Sequence, residues 1–375
     1  MKHLPVIRIL LLLALLAATG SAQQRIRLMG GNISSGNYQS YDPGHGARIF
    51  KGLDPDIVMI QEFNYAGNAA SDIRKFVTDT FGAEFSYFRE TGAQIPNGII
   101  SRFPILAAGE WTDPKVSNRD FAWARIDIPG DKDLWAVSIH FLTSSASNRN
   151  DEARALIGYI QANVPPGDYL VIGGDFNSSA RNETQFTTLS AVVRTAGPHP
   201  ADQAGNENTN ASRAKPYDSV FPSENLHSLQ TPVVIGGNAF PNGLVVDTRV
   251  YTPLSDISPA LSGDSGASQM QHMAIVKDYL LSPPADPPLL QIVSTGFSFG
   301  PPVRGTITFH STATATYQLE AASDSLSTSW TTLGEITAAS AVTTIVIVPS
   351  TPSPGQIHDP LFGIAPRRFY RVVRR

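Results

Sequence analysis

The chain of 375 residues contains no cysteine. That excludes a lipid-anchored lipoprotein and any disulfide framework, so stability has to come from packing. Charge is also scarce: only 16% of the residues are Asp, Glu, Lys or Arg, and the formal net charge is −4. Without a basic excess the chain lacks the footprint of a general polyanion binder. A bound metal would supply positive charge locally, so a nucleic-acid substrate stays open. Beyond the N-terminus no segment approaches the ~20 apolar residues of a spanning helix, and stable membrane insertion is not expected. There are no internal repeats and no low-complexity tract.

What is present is 42% hydrophobic residues, the composition of a folded globular protein with room for more than one domain. The first segment, "MKHLPVIRILLLLALLAATGSA", carries Lys2 and Arg8, an apolar run from Ile9 to Ala18, and small residues before Gln23. It reads as a cleavable signal peptide over 1–22, which predicts a secreted or periplasmic protein. The rival reading, a membrane anchor, fails on length. Loss of Lys2 and Arg8 takes the formal charge from −4 to −6.

A break falls at "LLSPPADPPLL", Leu280 to Leu290, where paired prolines favour a stiff spacer. The expected organisation is a catalytic body over 23–282, a Pro-rich linker over 283–290 and a small all-β domain over 291–375. In the body, "RIRLMGGNI", "DIVMIQE", "NGIISR", "FAWARIDI", "LWAVSIHF", "YLVIGGD", "YDSVFPS" and "HMAIVKDYL" read as strands. "SDIRKFVTDTF" has Ile73, Phe76, Val77 and Phe81 at helical spacing. "SNRNDEARALIGYIQANV" opens on a cap-like Ser147 and carries Ala153, Leu156, Ile157 and Ile160 as a stripe. Mixed strands and helices of this kind suggest sheets covered by helices. The Thr-, Ser- and Val-rich tail shows short strands between turns, the pattern of a small β-sandwich, with no cluster of metal ligands. It reads as an accessory module that binds a surface or polymer.

Seven polar residues abut the body's core strands: Asn32, Glu62, His140, Asp175, Asn177, Asp218 and His272. Singly, such a residue is usually a cap, a turn former or a structural histidine. Seven in one body are harder to assign that way. The alternation of an extended chain turns Asp175 and Asn177 of "GGDFN" to one side and Phe176 to the other.

In this order the motifs "IQE", "NGIISRFPI", "SIHF", "GGDFN", "YDSVF" and "QHMAIVKDY" resemble the endonuclease/exonuclease/phosphatase superfamily across Arg25 to Leu281. The resemblance implies a four-layer α/β sandwich, two mixed β-sheets face to face flanked by helices. It also implies metal-dependent hydrolysis of phosphate esters, with Mg²⁺ as the cofactor and Mn²⁺ or Ca²⁺ as alternatives. Such hydrolysis needs a cation on the phosphate, a base for water and help for the leaving oxygen. Glu62 and Asn32 are the expected metal residues, joined by Gln271. His272 is the candidate base and Asp218 its orienting carboxylate. Asp175 would contact the nucleophile or the metal, and Asn177 and His140 would bind phosphate oxygens, with assistance to the leaving group as a second role for His140. Asn97 is a further candidate near the phosphate, Arg119 is either a phosphate contact or a strand-edge charge, and Arg102 reads as structural.

The family's last motif usually reads Ser-Asp-His, whereas this chain has "SGASQMQHMAIV" with Gln271 before His272. Either the Gln271 carbonyl replaces the acid, or Asp256 or Asp264 does, or the protein binds without turnover. The presence of the other residues favours an active enzyme. A nuclease is the leading reading; a phospholipid or small-molecule phosphodiesterase is the enzymatic alternative, with "GGNAFPNGL" as the sole suggestion of a bilayer-directed hairpin.

Overall fold

The computed structural model describes residues 23–34, 44–281, 292–298, 303–323, 329–349, 352–353, 356–362 and 369–374. The expected signal peptide and linker lie outside the described residues. The chain forms two compact units, one over 22–283 and one that contains the strands after 284.

The first unit has fourteen strands among its described residues: β1 (Gln24–Asn32), β2 (Ile57–Gln61), β3 (Ser86–Arg89), β4 (Gly98–Ser101), β5 (Ile105–Trp111), β6 (Phe121–Ile126), β7 (Leu134–His140), β8 (Tyr169–Asp175), β9 (Asp218–Pro222), β10 (Gln230–Thr231), β11 (Val233–Ile235), β12 (Asn238–Phe240), β13 (Leu244–Val246) and β14 (Ala274–Leu281). Helices α1 (His45–Leu53), α2 (Ala70–Thr80), α3 (Ala146–Asn163), α4 (Thr184–Leu189) and α5 (Glu224–His227) lie between them.

Two mixed sheets carry the unit. One runs β10-β14-β1-β2-β4-β3 with β13 also on β14, and the other runs β5-β6-β7-β8-β9. Between them lies a layer that includes Ile26, Leu28, Met59 and Ile99 from the first sheet and Ala124, Ala136, Val171 and Val220 from the second. Each fully buried aliphatic side chain contributes about 1.5–3 kcal/mol there. The outer face of the first sheet is covered by α1 and α2 through Ile49, Phe50, Leu53, Ile73, Phe76 and Val77. That of the second is covered by α3 and α4 through Ala153, Leu156, Ile160, Phe186 and Leu189. This is the expected four-layer sandwich. The stripe expected on α3 is buried except for half-buried Ile157. The cap differs: Ser145, not Ser147, accepts the Asn148 N–H, because the helix starts one turn-position earlier at Ala146.

"GGD" has a packing reason. A Cβ on Gly173 would stand 2.4 Å from Met59 Cε, and one on Gly174, at φ +138°, would stand 2.2 Å from the Ile139 carbonyl. The glycines let the two sheets approach where β8 ends. The stretch Gly236 to Leu244 is partly the β11–β12 hairpin, and half-buried Phe240 packs on Tyr251 at 6.3 Å against the core. The aromatic residue that suggested a bilayer contact therefore faces the protein.

The second unit consists, among described residues, of β15 (Ile292–Ser298), β16 (Arg304–His310), β17 (Thr316–Ala322), β18 (Thr331–Thr337), β19 (Val342–Val348), β20 (Gln356–His358) and β21 (Phe369–Arg374). They form a sheet β15-β16-β19-β20 and a sheet β18-β17-β21. Ile307, Phe309, Ile345 and Ile347 of one pack with Tyr317 and Leu319 of the other. It is an all-β unit built on alternation of buried and exposed residues along β16 and β19.

Candidate active site

Strand direction gathers the polar residues at one end of the sandwich. β1 and β2 run parallel, so Asn32 stands beside Gln61 with Glu62 one residue beyond. β7 and β8 run parallel in the facing sheet, so His140 stands beside Asp175. β9 is antiparallel to β8 and begins there, with Asp218 opposite Asp175. His272 lies just before β14, bridged to Asn210. Two parallel pairs end, and two antiparallel strands begin, at the same edge.

The contacts are short. The Asn32 amide Nδ2 donates to Glu62 Oε1 and to Asp175 Oδ2, each at 3.2 Å, and thus joins the two sheets. His272 Nδ1 faces both Asp218 oxygens at 3.0 and 3.1 Å. His272 Nε2 is 3.5 Å and His140 Nε2 is 3.3 Å from Asp175 Oδ2. Asp175 Oδ1 accepts the Asn177 N–H at 2.8 Å. All of these residues are buried.

Burial sets the electrostatics. It pushes Asp175 up to about 7, against the pull of His272 and with the repulsion of Asp218. Burial opposes protonation of His272 as well, but Asp218 and Asp175 outweigh it and raise that histidine to about 9. His140 goes the other way: burial, then Arg119 and His272, hold it well below the usual histidine range. The surroundings therefore favour the neutral form of His140 and the charged form of His272. His140 Nδ1 is buried without a partner.

The remaining candidates divide. Glu62 is at φ +55°, a left-handed conformation that a carboxylate residue seldom adopts, and Asn177 at φ +47° is likewise left-handed. Asn177 Nδ2 donates to the Phe141 carbonyl at 2.8 Å, so one amide hydrogen braces the segment after β7. Asn32 Oδ1 accepts the Ser34 N–H at 2.8 Å, which makes Asn32 a brace between carboxylates in this orientation rather than an oxygen ligand. Gln271 is not brought into the set: its side chain is exposed, and its main-chain N–H donates to Ser34 Oγ at 3.1 Å. Neither proposed substitute replaces it. Asp264 is held by Arg48 and by His45, the latter at 2.9 Å, and Asp256 lies against Gly236 in the β11–β12 turn.

Arg119 is a brace. Its Nε donates to the His140 carbonyl at 2.5 Å and its Nη2 to the Phe141 carbonyl at 2.9 Å. Asn97 donates to the Asp120 carbonyl at 2.6 Å while its Oδ1 is buried without a partner. Arg102 pairs with Asp54 and Asp56 at 3.1 and 3.0 Å. Thr209 carried no sequence signal, yet its Oγ1 accepts the Asp218 N–H and its carbonyl accepts the Met273 N–H, each at 2.7 Å. It ties the two strands that present Asp218 and His272.

Asp175, Asp218 and His272 have ligand atoms within 4.8 Å of one another and could hold a metal ion. The same spacing describes an imidazole oriented by Asp218, whose two oxygens both face Nδ1. Glu62 and Asp175, joined through Asn32, offer a second arrangement of hard carboxylate oxygens. Buried carboxylates with a proton affinity as high as that of Asp175 suit a divalent cation.

Buried carboxylates and histidines at one sheet edge are groups that metal-assisted cleavage of a phosphate ester can use. The sequence profile of the Endonuclease/Exonuclease/phosphatase family matches residues 34–284, and the chain belongs to that family. No curated protein matches the chain significantly. Solved structures similar to it include an endonuclease/exonuclease/phosphatase from Bacteroides vulgatus, at 15% identity over 69% of this chain and 99% of that one, with a TM-score of 0.48. A family protein from Bacteroides thetaiotaomicron is 12% identical over 69% and 98%, with a TM-score of 0.47. Truncated Caenorhabditis elegans TDP2 is 15% identical over 68% and 97%, with a TM-score of 0.45.

Proposed function

We propose that the protein is an exported, Mg²⁺-dependent phosphodiesterase that cleaves nucleic acid by water attack. The observation that carries this reading is His272, held at Nδ1 by both Asp218 oxygens with its Nε2 turned to Asp175. That is the geometry of a base whose orientation is fixed by one carboxylate while the other nitrogen handles a proton.

Glu62 would hold the metal, with Asn32 bracing it against Asp175; Mg²⁺, when bound, polarises the phosphate and offsets its charge. His272 takes the proton of the attacking water at Nε2 once its own proton has left, and Asp175 orients that water. Asp218 stabilises the imidazolium that results. His140, kept neutral, donates a hydrogen bond to a phosphate oxygen, and Asn177 donates its second amide hydrogen. The P–O bond opposite the attacking water breaks with its electron pair on the leaving oxygen, which takes a proton from solvent. Arg119 fixes His140 from behind through the main chain. The N-terminal segment 1–22 directs export, and the C-terminal unit holds the enzyme on a surface or polymer.

The test uses the chain from Gln23 on supercoiled plasmid with Mg²⁺, with EDTA, and with His272→Ala alongside. Metal-dependent nicking that the variant lacks is the expected result. No nicking by the unsubstituted chain overturns the nucleic-acid substrate and turns attention to phospholipid and small phosphodiesters.

A further inference from the structure

The rows of side chains that fill the layer between the sheets turn polar just before the active site. Along β2 the inward residues are Ile57 and Met59, and then Gln61; along β7 they are Leu134 and Ala136, and then Ser138. Gln61 and Ser138 are both 0% exposed. They meet across the layer: Gln61 Nε2 donates to Ser138 Oγ at 2.8 Å, and that hydroxyl donates to the Ile60 carbonyl at 2.8 Å. The second amide hydrogen of Gln61 turns back to the Met59 carbonyl at 3.0 Å. One hydroxyl of β7 is thus bonded to both a side chain and the main chain of β2, in the facing sheet.

The same amide lies against a third strand. A Cβ on Gly174 of β8 would stand 2.6 Å from Gln61 Nε2 and 2.8 Å from its Cδ, so only a glycine lets β8 pass there. Each partner adjoins a site residue. Gln61 precedes Glu62, Gly174 precedes Asp175, and Ser138 lies two residues before His140 on the same side of β7. Gln61 is therefore a spacer between the strand that presents Glu62 and the two strands that present His140 and Asp175.

Packing alone does not call for an amide at this place. Gln61 Oε1 is buried without a partner, a cost that a methionine of similar length would not carry. What the amide adds is a directional bond of set length between the sheets. A buried polar group kept at a cost to stability, one residue from a functional edge, is accounted for by the geometry it holds.

We propose that Gln61 and Ser138 are positioning residues. Their hydrogen bond sets the separation of the sheets where Glu62 stands across from Asp175 and His140, so that a metal and a phosphate are held at one distance. Asn32 joins the sheets at the site itself, and Gln61 and Ser138 join them one step below. The inference rests on the reading that Glu62 holds the metal while His140 and Asp175 serve the phosphate and the water. It does not depend on the diester being a nucleic acid.

The test compares the unsubstituted chain with Gln61→Met, Ser138→Ala, the double variant and Glu62→Gln. Three quantities are read: kcat and KM with Mg²⁺ on bis(4-nitrophenyl) phosphate and on supercoiled plasmid, Tm in EDTA, and Mn²⁺ affinity by calorimetry. Gln61→Met should lower kcat by about tenfold to a hundredfold, as a small misplacement of reacting groups does, without lowering Tm. Its KM and Mn²⁺ affinity should stay within about threefold, because Glu62 remains. Ser138→Ala should act in the same direction, and the double variant should be no slower than Gln61→Met, since the two residues act through one bond. An unchanged kcat in Gln61→Met, whatever its Tm, makes the amide a core filler and overturns the proposal. So does a double variant whose loss is the product of the single losses. Failure of the underlying reading looks different. Glu62→Gln would then leave Mn²⁺ affinity unchanged, or the unsubstituted chain would show no metal-dependent turnover of either substrate, and the proposal would fall with that reading.

Discussion

The two units of this protein place their buried polar residues differently. In the second unit, Asp359 is the one buried charged residue among those described, and it is satisfied locally by the Leu361 N–H and the Tyr370 hydroxyl at 2.9 and 2.7 Å. Its threonines pair across strands at the surface, as Thr308 does with Thr344 at 2.9 Å. In the first unit, Glu62, His140, Asp175, Asp218 and His272 are all buried, and all stand at one strand edge. Polar groups that serve only a fold are satisfied by near neighbours. Polar groups gathered from distant strands against a desolvation cost point to chemistry.

The largest expected effect separates the units outright. Asp175→Asn should lower kcat on a phosphodiester by about 10³-fold without lowering Tm, because it removes a charge that burial already disfavours. Its counterpart in the other unit, Phe309→Ala, should destabilise that unit by about 3–5 kcal/mol and leave kcat on a small soluble phosphodiester unchanged. Steady-state kinetics and thermal unfolding of both variants check this. If Phe309→Ala lowers kcat as much as Asp175→Asn, the division of labour is wrong.

A smaller effect concerns pH. Glu90 accepts the Asn97 and Asp120 N–H groups at 2.8 and 3.1 Å, yet burial outweighs those bonds and raises it to about 8. A raised carboxyl binds a proton in the folded state that the unfolded chain has already released. Stability therefore falls as pH rises from about 4.5 towards 8. Glu90→Gln should flatten that decline, read as Tm against pH, and an unaltered profile would show that Glu90 is charged throughout.

The smallest effect concerns the family's missing acid. An exposed charge beside the site acts through water, so Gln271→Asp should tighten Mg²⁺ binding by no more than about threefold. A gain of tenfold or more in a metal titration would mean that the side chain turns inward as a ligand.

Much of this was legible in the residues. The strand ends at Asn32, Glu62, His140 and Asp175 follow from apolar runs that stop on polar residues, and α2 follows from its spacing. The helix α1 was not singled out, since "HGARIFKGL" carries Gly46 and Gly52 and gives little warning. Ser147 looked like a cap as good as Ser145, because both are serines ahead of the same stripe. Gln271 was expected at the site because it stands where the resemblance places the Asp of Ser-Asp-His, but its side chain is exposed while that of His272 is buried. Arg119 stood out only as a charge in a polar stretch; its target, the His140 carbonyl, comes from another strand.

The sequence by itself determined the elements and the chemical types at their ends, because apolar alternation and turn residues act over a few positions. It also determined the absence of disulfides. Only the tertiary structure decided the partners. Asn32 meets Asp175 across 143 residues, and His272 meets Asp218 across 54. Such pairs depend on which strands lie parallel and which sheets face each other, and that is settled by the packing of the whole sandwich. The same packing leaves the Gln271 side chain outside.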